Sequence, residues 1–110
     1  MKEVINELLY DTNKADLILT DNGSKVIYGS FDTSSVQHYK IDLYITPNKR
    51  FFKIHQKGYE KYTNFFCTKT AVNWEPSYLY PLTVTEAYNQ FIHLITPKIK
   101  EQYFNEIQEA

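Results

Sequence analysis

Two neighbouring segments in the middle of the chain alternate apolar and polar residues, and this pattern constrains the fold more than any other feature. Ile41, Leu43 and Ile45 occupy every second position in residues 39–46, and Phe52 and Ile54 do so in residues 51–57. A period of two is typical of strands with one buried face. The intervening residues, Pro47-Asn48-Lys49-Arg50, have turn chemistry. The pattern therefore predicts a β-hairpin.

The length of the hairpin loop determines which residues lie opposite one another. With a loop of two or four residues, Leu43 lies opposite Ile54, and the apolar side chains of both strands share one face. That face consists of Ile41, Leu43, Ile45, Phe52 and Ile54. The other face then pairs Lys40 with Lys57, Tyr44 with Lys53 and Asp42 with His55, beside Phe51. A carboxylate opposite a histidine predicts a raised pKa for His55.

The N-terminal part of the chain favours further strands and turns. Residues 8–20 contain two short apolar runs around Asp11-Thr12-Asn13, which predicts a hairpin, with a helix over residues 2–9 as the alternative. Asp21-Asn22-Gly23-Ser24 predicts a turn because Asn and Gly both tolerate positive φ. A strand over residues 25–31 follows it, and a third strand after the central hairpin is expected over residues 62–68.

The C-terminal part of the chain indicates helices. Residues 78–82 are extended, with Pro81 favouring an edge strand. Thr83 and Glu86 have the spacing of a capping box, and apolar residues follow at helical spacing. Thr96-Pro97 ends that helix and can begin another. The order of elements predicts one α+β domain over residues 1–110, an antiparallel β-meander with one or two C-terminal helices packed on one face.

The net charge of −1 conceals a basic middle third. Residues 38–70 carry a net charge of +5, whereas residues 1–37 and residues 71–110 carry −3 each. Eight of the eighteen aromatic residues also lie in residues 38–70. Basic and aromatic side chains together are typical of surfaces that bind single-stranded nucleic acid. Mutual neutralisation of the three segments within one fold explains the same charge pattern.

The candidate binding residues lie on the outer face of the hairpin and in a later loop. Lysines that lie opposite one another, and aromatic rings that stand between lysines, add little to stability. They are suited to binding an anionic surface, either nucleic acid or an acidic protein patch. Coverage of this face by the acidic C-terminal helices is the alternative. Trp74 is either an anchor for a partner protein or a cover over the edge of the core. The candidates are Lys40, Tyr44, Phe51, Lys53, His55, Lys57 and Trp74.

Short motifs along most of the chain occur in the order of a known family. They are Tyr10-Asp11-Thr12 with Ala15, Leu43-Tyr44 with Thr46, Phe51-Phe52, Gly58, Tyr62, and Pro81-Leu82-Thr83 with Glu86-Ala87. On these residues the chain resembles a family of small uncharacterised proteins from low-GC Gram-positive bacteria and their mobile elements. The chain differs from that family at Asn48-Lys49, where a turn glycine is usual, at Gly58, which replaces a glycine pair, and at Phe91, often Trp. The resemblance implies the α+β fold and no particular activity.

No arrangement of residues indicates catalysis or a bound cofactor. Cys67 and the three histidines lack the spacing of a zinc site, and the three glycines are too far apart for a phosphate-binding loop. No apolar run approaches the roughly 18 residues of a membrane span, and the N-terminus lacks a signal-peptide pattern. We therefore expect a cytoplasmic protein that is not an enzyme, uses no metal or cofactor and does not enter a membrane.

Two hypotheses for the function follow from these features. The first is a non-enzymatic interaction module of a bacterium or mobile element that acts by protein–protein contact, as an accessory or anti-defence factor. It rests on the small size, the abundant tyrosine and the family resemblance. The second is a nucleic-acid-binding module that uses the basic aromatic hairpin of residues 39–57. Neither hypothesis specifies an oligomeric state.

Overall fold

The computed structural model describes residues 1–28, 33–63, 68–69 and 72–108. It confirms the α+β class, with antiparallel strands first and two helices last. The strands are β1 (Lys2–Ile5), β2 (Leu8–Asp11), β3 (Asp16–Tyr28), β4 (Thr33–Ile45), β5 (Phe51–Thr63), β6 (Thr68–Lys69), β7 (Asn73–Trp74) and β8 (Tyr78–Leu82). The helices are α1 (Val84–Gln90) and α2 (Pro97–Tyr103).

Three long strands form the frame of the larger sheet. β3, β4 and β5 each have 13 residues and pair in that order. The far edge of β5 pairs in turn with β8, β7 and β6, each over a few residues. β1 and β2 form a separate two-stranded sheet. Because the long strands extend beyond the helices, the molecule is elongated, with dimensions of 54 × 34 × 19 Å.

The turn of the central hairpin has three residues, and the predicted register is wrong by one position. The backbone N–H of Lys49 donates to the carbonyl of Thr46, and the N–H of Thr46 donates to the carbonyl of Arg50. Lys49 has a φ of 61°, the left-handed conformation that closes a three-residue hairpin loop. An odd loop length pairs Ile45 with Phe51 instead of Phe52. The predicted loops of two or four residues give the other register.

This register gives the sheet two buried faces in place of one. On the face that the helices cover, hereafter the helix face, Leu43 and Phe51 are buried, and Phe51 stacks on Phe104 with ring centroids 5.0 Å apart. On the opposite face, hereafter the hairpin face, Phe52 is buried against Tyr10 and Leu79. Consecutive phenylalanines therefore support two cores, because neighbouring strand residues point to opposite faces.

The first hairpin lies closer to the N-terminus than predicted. β1 pairs with β2 through a two-residue turn, Asn6-Glu7, in which both residues have positive φ. The two extended segments predicted on either side of Asp11-Thr12-Asn13 are present as β2 and the start of β3, but they belong to different sheets, so the predicted hairpin is wrong. The alternative helix over residues 2–9 is also wrong. The apolar residues of the hairpin explain its position, since Ile5, Leu8 and Tyr10 pack in the core of the hairpin face.

The predicted turn at Asn22-Gly23 is also wrong, because β3 runs through it without interruption. Gly23 has an ordinary negative φ, and a β-carbon there would lie 2.6 Å from the hydroxyl oxygen of Tyr39. The glycine therefore makes room for the Tyr39 ring, a role that glycine also has inside strands. The third strand predicted over residues 62–68 is wrong in its described part, because β5 continues through Gly58 as far as Thr63 and Thr68 belongs to β6. Residues 64–67, which include Cys67, lie outside the described residues.

Both helix starts are confirmed. The hydroxyl of Thr83 accepts from the Glu86 N–H at 3.1 Å, and the Glu86 carboxylate accepts from the Thr83 N–H at 3.0 Å, which completes the capping box. Thr96 caps α2, with Pro97 in its first turn. α1 is shorter than its apolar spacing suggests, since it ends at Gln90 and leaves Leu94 exposed.

Candidate nucleic-acid interface

The observed register divides the predicted binding residues between the two faces of the sheet. Side chains of Lys53, His55 and Lys57 belong to the helix face, together with the buried Phe51. Lys40 and Tyr44 belong to the hairpin face. The prediction that all three lysines share one face with Tyr44 is therefore wrong.

Strand β8 brings two tyrosines beside the basic residues of β5. Tyr80 lies opposite Lys53, and Tyr78 lies opposite His55. Opposite residues share a face, so these rings stand directly next to the basic side chains. Tyr78 and Tyr80 are 58% and 45% exposed. We call this surface the lysine–tyrosine face; its members are Lys53, His55, Lys57, Tyr78 and Tyr80.

The two tyrosines were not among the residues predicted from sequence. Their signal is present in Tyr78-Leu79-Tyr80, where Leu79 is buried on the hairpin face and both neighbours point the other way. That alternation marks a strand with one outward aromatic stripe. The pairing of β8 with β5 joins segments about 25 residues apart along the chain, and no local pattern specifies it.

The helices cover only part of the helix face. Lys53 marks the boundary, because its Nζ donates to Oε1 of Gln90 in α1 at 2.8 Å. The same Nζ lies 5.5 Å from the centroid of the Tyr80 ring, within range of a cation–π interaction. Beyond Lys53 the described residues leave the face open, and it contains a pocket of about 350 Å³. The pocket is lined by His55, Lys57, Glu75, Pro76, Tyr78 and Tyr80.

The electrostatics of this face differ from those expected from sequence. Asp42 lies opposite Ile54, on the hairpin face, where it accepts a hydrogen bond from Thr20 at 2.8 Å. Partial burial lowers the pKa of His55, and the positive charges of Lys53 and Lys57 lower it further. The expected rise in the pKa of His55 is therefore wrong, because the carboxylate expected to cause it belongs to the opposite face.

The lysines of this face keep their charges available. In the described part of the chain neither Lys53 nor Lys57 forms an ion pair. Glu75 is the acidic residue that lines the pocket, and its backbone N–H donates to the Lys57 carbonyl at 2.7 Å. Lys53 nevertheless lies close enough to Glu86 for its charge to help lower the pKa of that carboxyl. Two ammonium groups outside ion pairs, beside two exposed rings, form a surface suited to an anionic, aromatic ligand.

The hairpin face holds the other predicted residues in different surroundings. Lys40 is exposed, with its Nζ 3.9 Å from Oδ2 of Asp42. Tyr44 stacks on Phe52 at a centroid distance of 5.1 Å, and burial together with Asp42 raises the pKa of its hydroxyl. The Tyr44 ring is thus part of the core contacts and is less available for stacking with a ligand than Tyr78.

Trp74 covers the backbone of the sheet and still exposes half of its surface. It lies opposite Gly58, where a β-carbon would stand 2.8 Å from the indole ring. Its ring centroid is 6.3 Å from that of His38, whose Nε2 lies 2.9 Å from a carboxylate oxygen of the buried Glu60. Trp74 remains 47% exposed, on the face opposite the lysine–tyrosine face.

Two further observations concern the described residues as a whole. They contain no cluster of three or more His, Cys, Asp or Glu side chains arranged to hold a metal ion. None of their helices has both the length and the apolar character needed to span a bilayer.

In comparisons with known proteins, no family model, curated protein or solved structure matches this chain.

Proposed function

We propose that this protein is a non-enzymatic interaction module of the cytoplasm whose lysine–tyrosine face binds single-stranded nucleic acid. The observation that carries this proposal is the direct pairing of a basic strand with an aromatic one. Lys53 lies opposite Tyr80, and His55 lies opposite Tyr78, all on an open sheet face.

The spacing of these side chains suits an extended nucleic-acid strand. Alternate residues of a strand are about 6.7 Å apart, so Tyr78 and Tyr80 offer two separate rings for stacking with successive splayed bases. Lys53 and Lys57 lie about 13 Å apart on the neighbouring strand, where their ammonium groups can contact the backbone of the same ligand. Stacking on a ring requires no particular base, which favours binding without strict sequence preference.

A salt titration tests the proposal. A fluorescently labelled oligothymidylate is titrated with the protein at several salt concentrations, and anisotropy reports binding. Contacts from Lys53 and Lys57 to two phosphates predict a log–log slope of about −1.4, at roughly 0.7 per phosphate of a single strand. Tyr78→Ala is expected to weaken binding by about 1–3 kcal/mol, the usual contribution of one stacked base.

Matched variants separate this face from general charge effects. Lys53→Gln with Lys57→Gln removes two charges from the lysine–tyrosine face, whereas Lys40→Gln with Lys98→Gln removes two exposed charges elsewhere. The first pair is expected to abolish the salt dependence and the second to leave it nearly unchanged. Equal binding by the two double variants, or no binding by the unmodified protein, would refute the nucleic-acid proposal.

Protein–protein contact is a second candidate function, and the exposed half of Trp74 favours it. Exposed tryptophans are frequent anchors in interfaces, and this one lies on the other face of the sheet. Affinity capture from the native host with the unmodified protein and with Trp74→Ala tests this function. One protein partner that is captured only by the unmodified chain, with or without nuclease treatment, would support it.

A further inference from the structure

The outer edge of the larger sheet is a long strand with a neighbour on one side only. β3 pairs with β4, and no described strand pairs with its other side. At about 3.3 Å per residue, its 13 residues span about 43 Å. Such an edge presents a row of backbone N–H and C=O groups to a strand that fits beside it.

The charges of β3 indicate which strand fits. Two identical antiparallel strands related by a two-fold axis pair around a residue that lies opposite itself. Centring on Gly23 places Asp21 opposite Lys25 of the second copy. The two-fold axis generates a second, equivalent pair between Lys25 and Asp21 of the second copy. Centring on Asp21 or Lys25 places like charges opposite each other. Centring on Asn22 or Ser24 leaves both charges without an opposite partner.

The surroundings of Gly23 suit a position at the axis. On the helix face, the ring of Tyr39 in β4 lies over Gly23 and fills the space that a side chain would occupy there. The ring therefore reaches the outer strand, where a second copy can contact it. The β-bulge between Leu17 and Leu19 interrupts the strand, so a regular ladder around Gly23 covers residues 19–27.

We propose that the protein self-associates by antiparallel pairing of β3 with β3 of a second copy, centred on Gly23 and flanked by two Asp21–Lys25 ion pairs. Because opposite residues share a face, both lysine–tyrosine faces lie on the same side of the joined sheet. Five strand spacings of about 4.8 Å separate the two β5 strands, which gives about 24 Å. A strand edge buries less than the 1,200–2,000 Å² typical of stable complexes, so the association depends on protein concentration.

A charge-swap series tests this pairing by sedimentation equilibrium over a range of protein concentrations. Lys25→Asp places carboxylates opposite each other at both Asp21–Lys25 positions and is expected to weaken self-association about tenfold. Adding Asp21→Lys restores opposite charges in the same register and is expected to restore self-association. The assay contains no nucleic acid, so its outcome is independent of the proposed function.

Two controls make the series decisive. Asp21 also lies 3.4 Å from Nε2 of His93, so His93→Gln tests whether losing that contact alone has any effect; none is expected. Circular dichroism verifies that each variant folds. A monomeric unmodified protein at high concentration, undiminished association of Lys25→Asp, or a double swap that remains as weak as Lys25→Asp would each overturn the proposal.

Discussion

The same two strands, β4 and β5, have different surroundings at their two ends. Near the turn, Leu43 and Phe51 are covered by the helices, and Phe52 is covered by the β1–β2 hairpin. Farther from the turn, Lys57 and Tyr59 are exposed. We call the part of these strands with Leu43, Phe51 and Phe52 the covered end, and the part with Lys57 and Tyr59 the open end. Since buried apolar area is the main source of stability, the covered end contributes more to the stability of the fold than the open end.

This contrast also explains why aromatic residues have two roles in one sheet. At the covered end Phe51, Phe52 and Phe104 stack with other rings inside the cores. At the open end Tyr78 and Tyr80 keep about half of their surface in solvent. Exposed rings of this kind add little to stability and are therefore candidates for function.

The difference in stability between the covered end and the open end is tested most strongly by replacing one side chain at each end with alanine. Phe52→Ala is expected to lower the free energy of unfolding by about 3–5 kcal/mol, because it leaves a cavity between Tyr10, Tyr44 and Leu79. Lys57→Ala, at the exposed open end, is expected to cost less than about 1 kcal/mol. Urea unfolding followed by circular dichroism measures both. Similar losses at the two positions would show that the open end contributes equally to stability.

A smaller effect is expected at the start of α1, which covers the helix face. Thr83→Ala removes the side-chain half of the capping box and is expected to cost about 1 kcal/mol. The backbone N–H of Thr83 is the main cause of the lowered pKa of Glu86 and the Thr83 side chain is a smaller one, so this variant should raise that pKa only in part. Urea unfolding and an NMR titration of Glu86 measure the two effects. Thr85→Ala, two residues further along in the first turn of α1, is the control and should leave the free energy of unfolding unchanged.

The hairpin turn offers a stabilising change at the covered end. Lys49 has a φ of 61°, a conformation that costs a residue with a side chain about 1–2 kcal/mol. Lys49→Gly removes this strain, and after the greater flexibility of glycine in the unfolded chain a gain of about 0.5 kcal/mol is expected. Asn48→Gly, at a neighbouring position without positive φ, should destabilise. A loss of stability in Lys49→Gly would contradict the proposed source of strain.

The smallest effect is expected at the open end, from His55. Its lowered pKa means that the folded protein resists a proton that the unfolded chain accepts below about pH 6.5, so stability falls slightly as the pH decreases through that range. Binding of an anion should change in the opposite direction, because phosphate favours the charged imidazole beside Lys53 and Lys57. Lowering the pH from 7.5 to 5.5 is expected to steepen the salt slope, by about 0.7 at most, the value for one further phosphate contact, and His55→Asn should remove this change.

The parts of the fold that the sequence predicts correctly are those set by residues close together in the chain. Thr83 and Glu86 are three positions apart, and Thr96 precedes Pro97 directly, so both helix starts follow from local hydrogen bonding and sterics. The existence of the central hairpin follows from its alternation in the same way. Its register does not, because Lys49 adopts a left-handed conformation without the glycine that normally indicates one.

Errors at longer range have a common physical cause, which is tertiary packing. Gly23 resembles a turn residue locally, yet it makes room for the Tyr39 ring inside a strand. The candidate site was predicted in part, since Lys53, His55 and Lys57 do lie together. Tyr78 and Tyr80 were missed because they reach this face through pairing with β5 from a distant segment.

The three-residue turn between β4 and β5 also sets a rule for how this chain can change in evolution. Losing or gaining a single residue between Thr46 and Arg50 would shift the pairing of β4 with β5 by one position. Every side chain of one strand would then change faces relative to the side chains of the other strand. Leu43 would then share a face with Phe52, and the interior beneath the helices would lose Phe51. We therefore expect a change of two residues in this turn to preserve both cores better than a change of one residue.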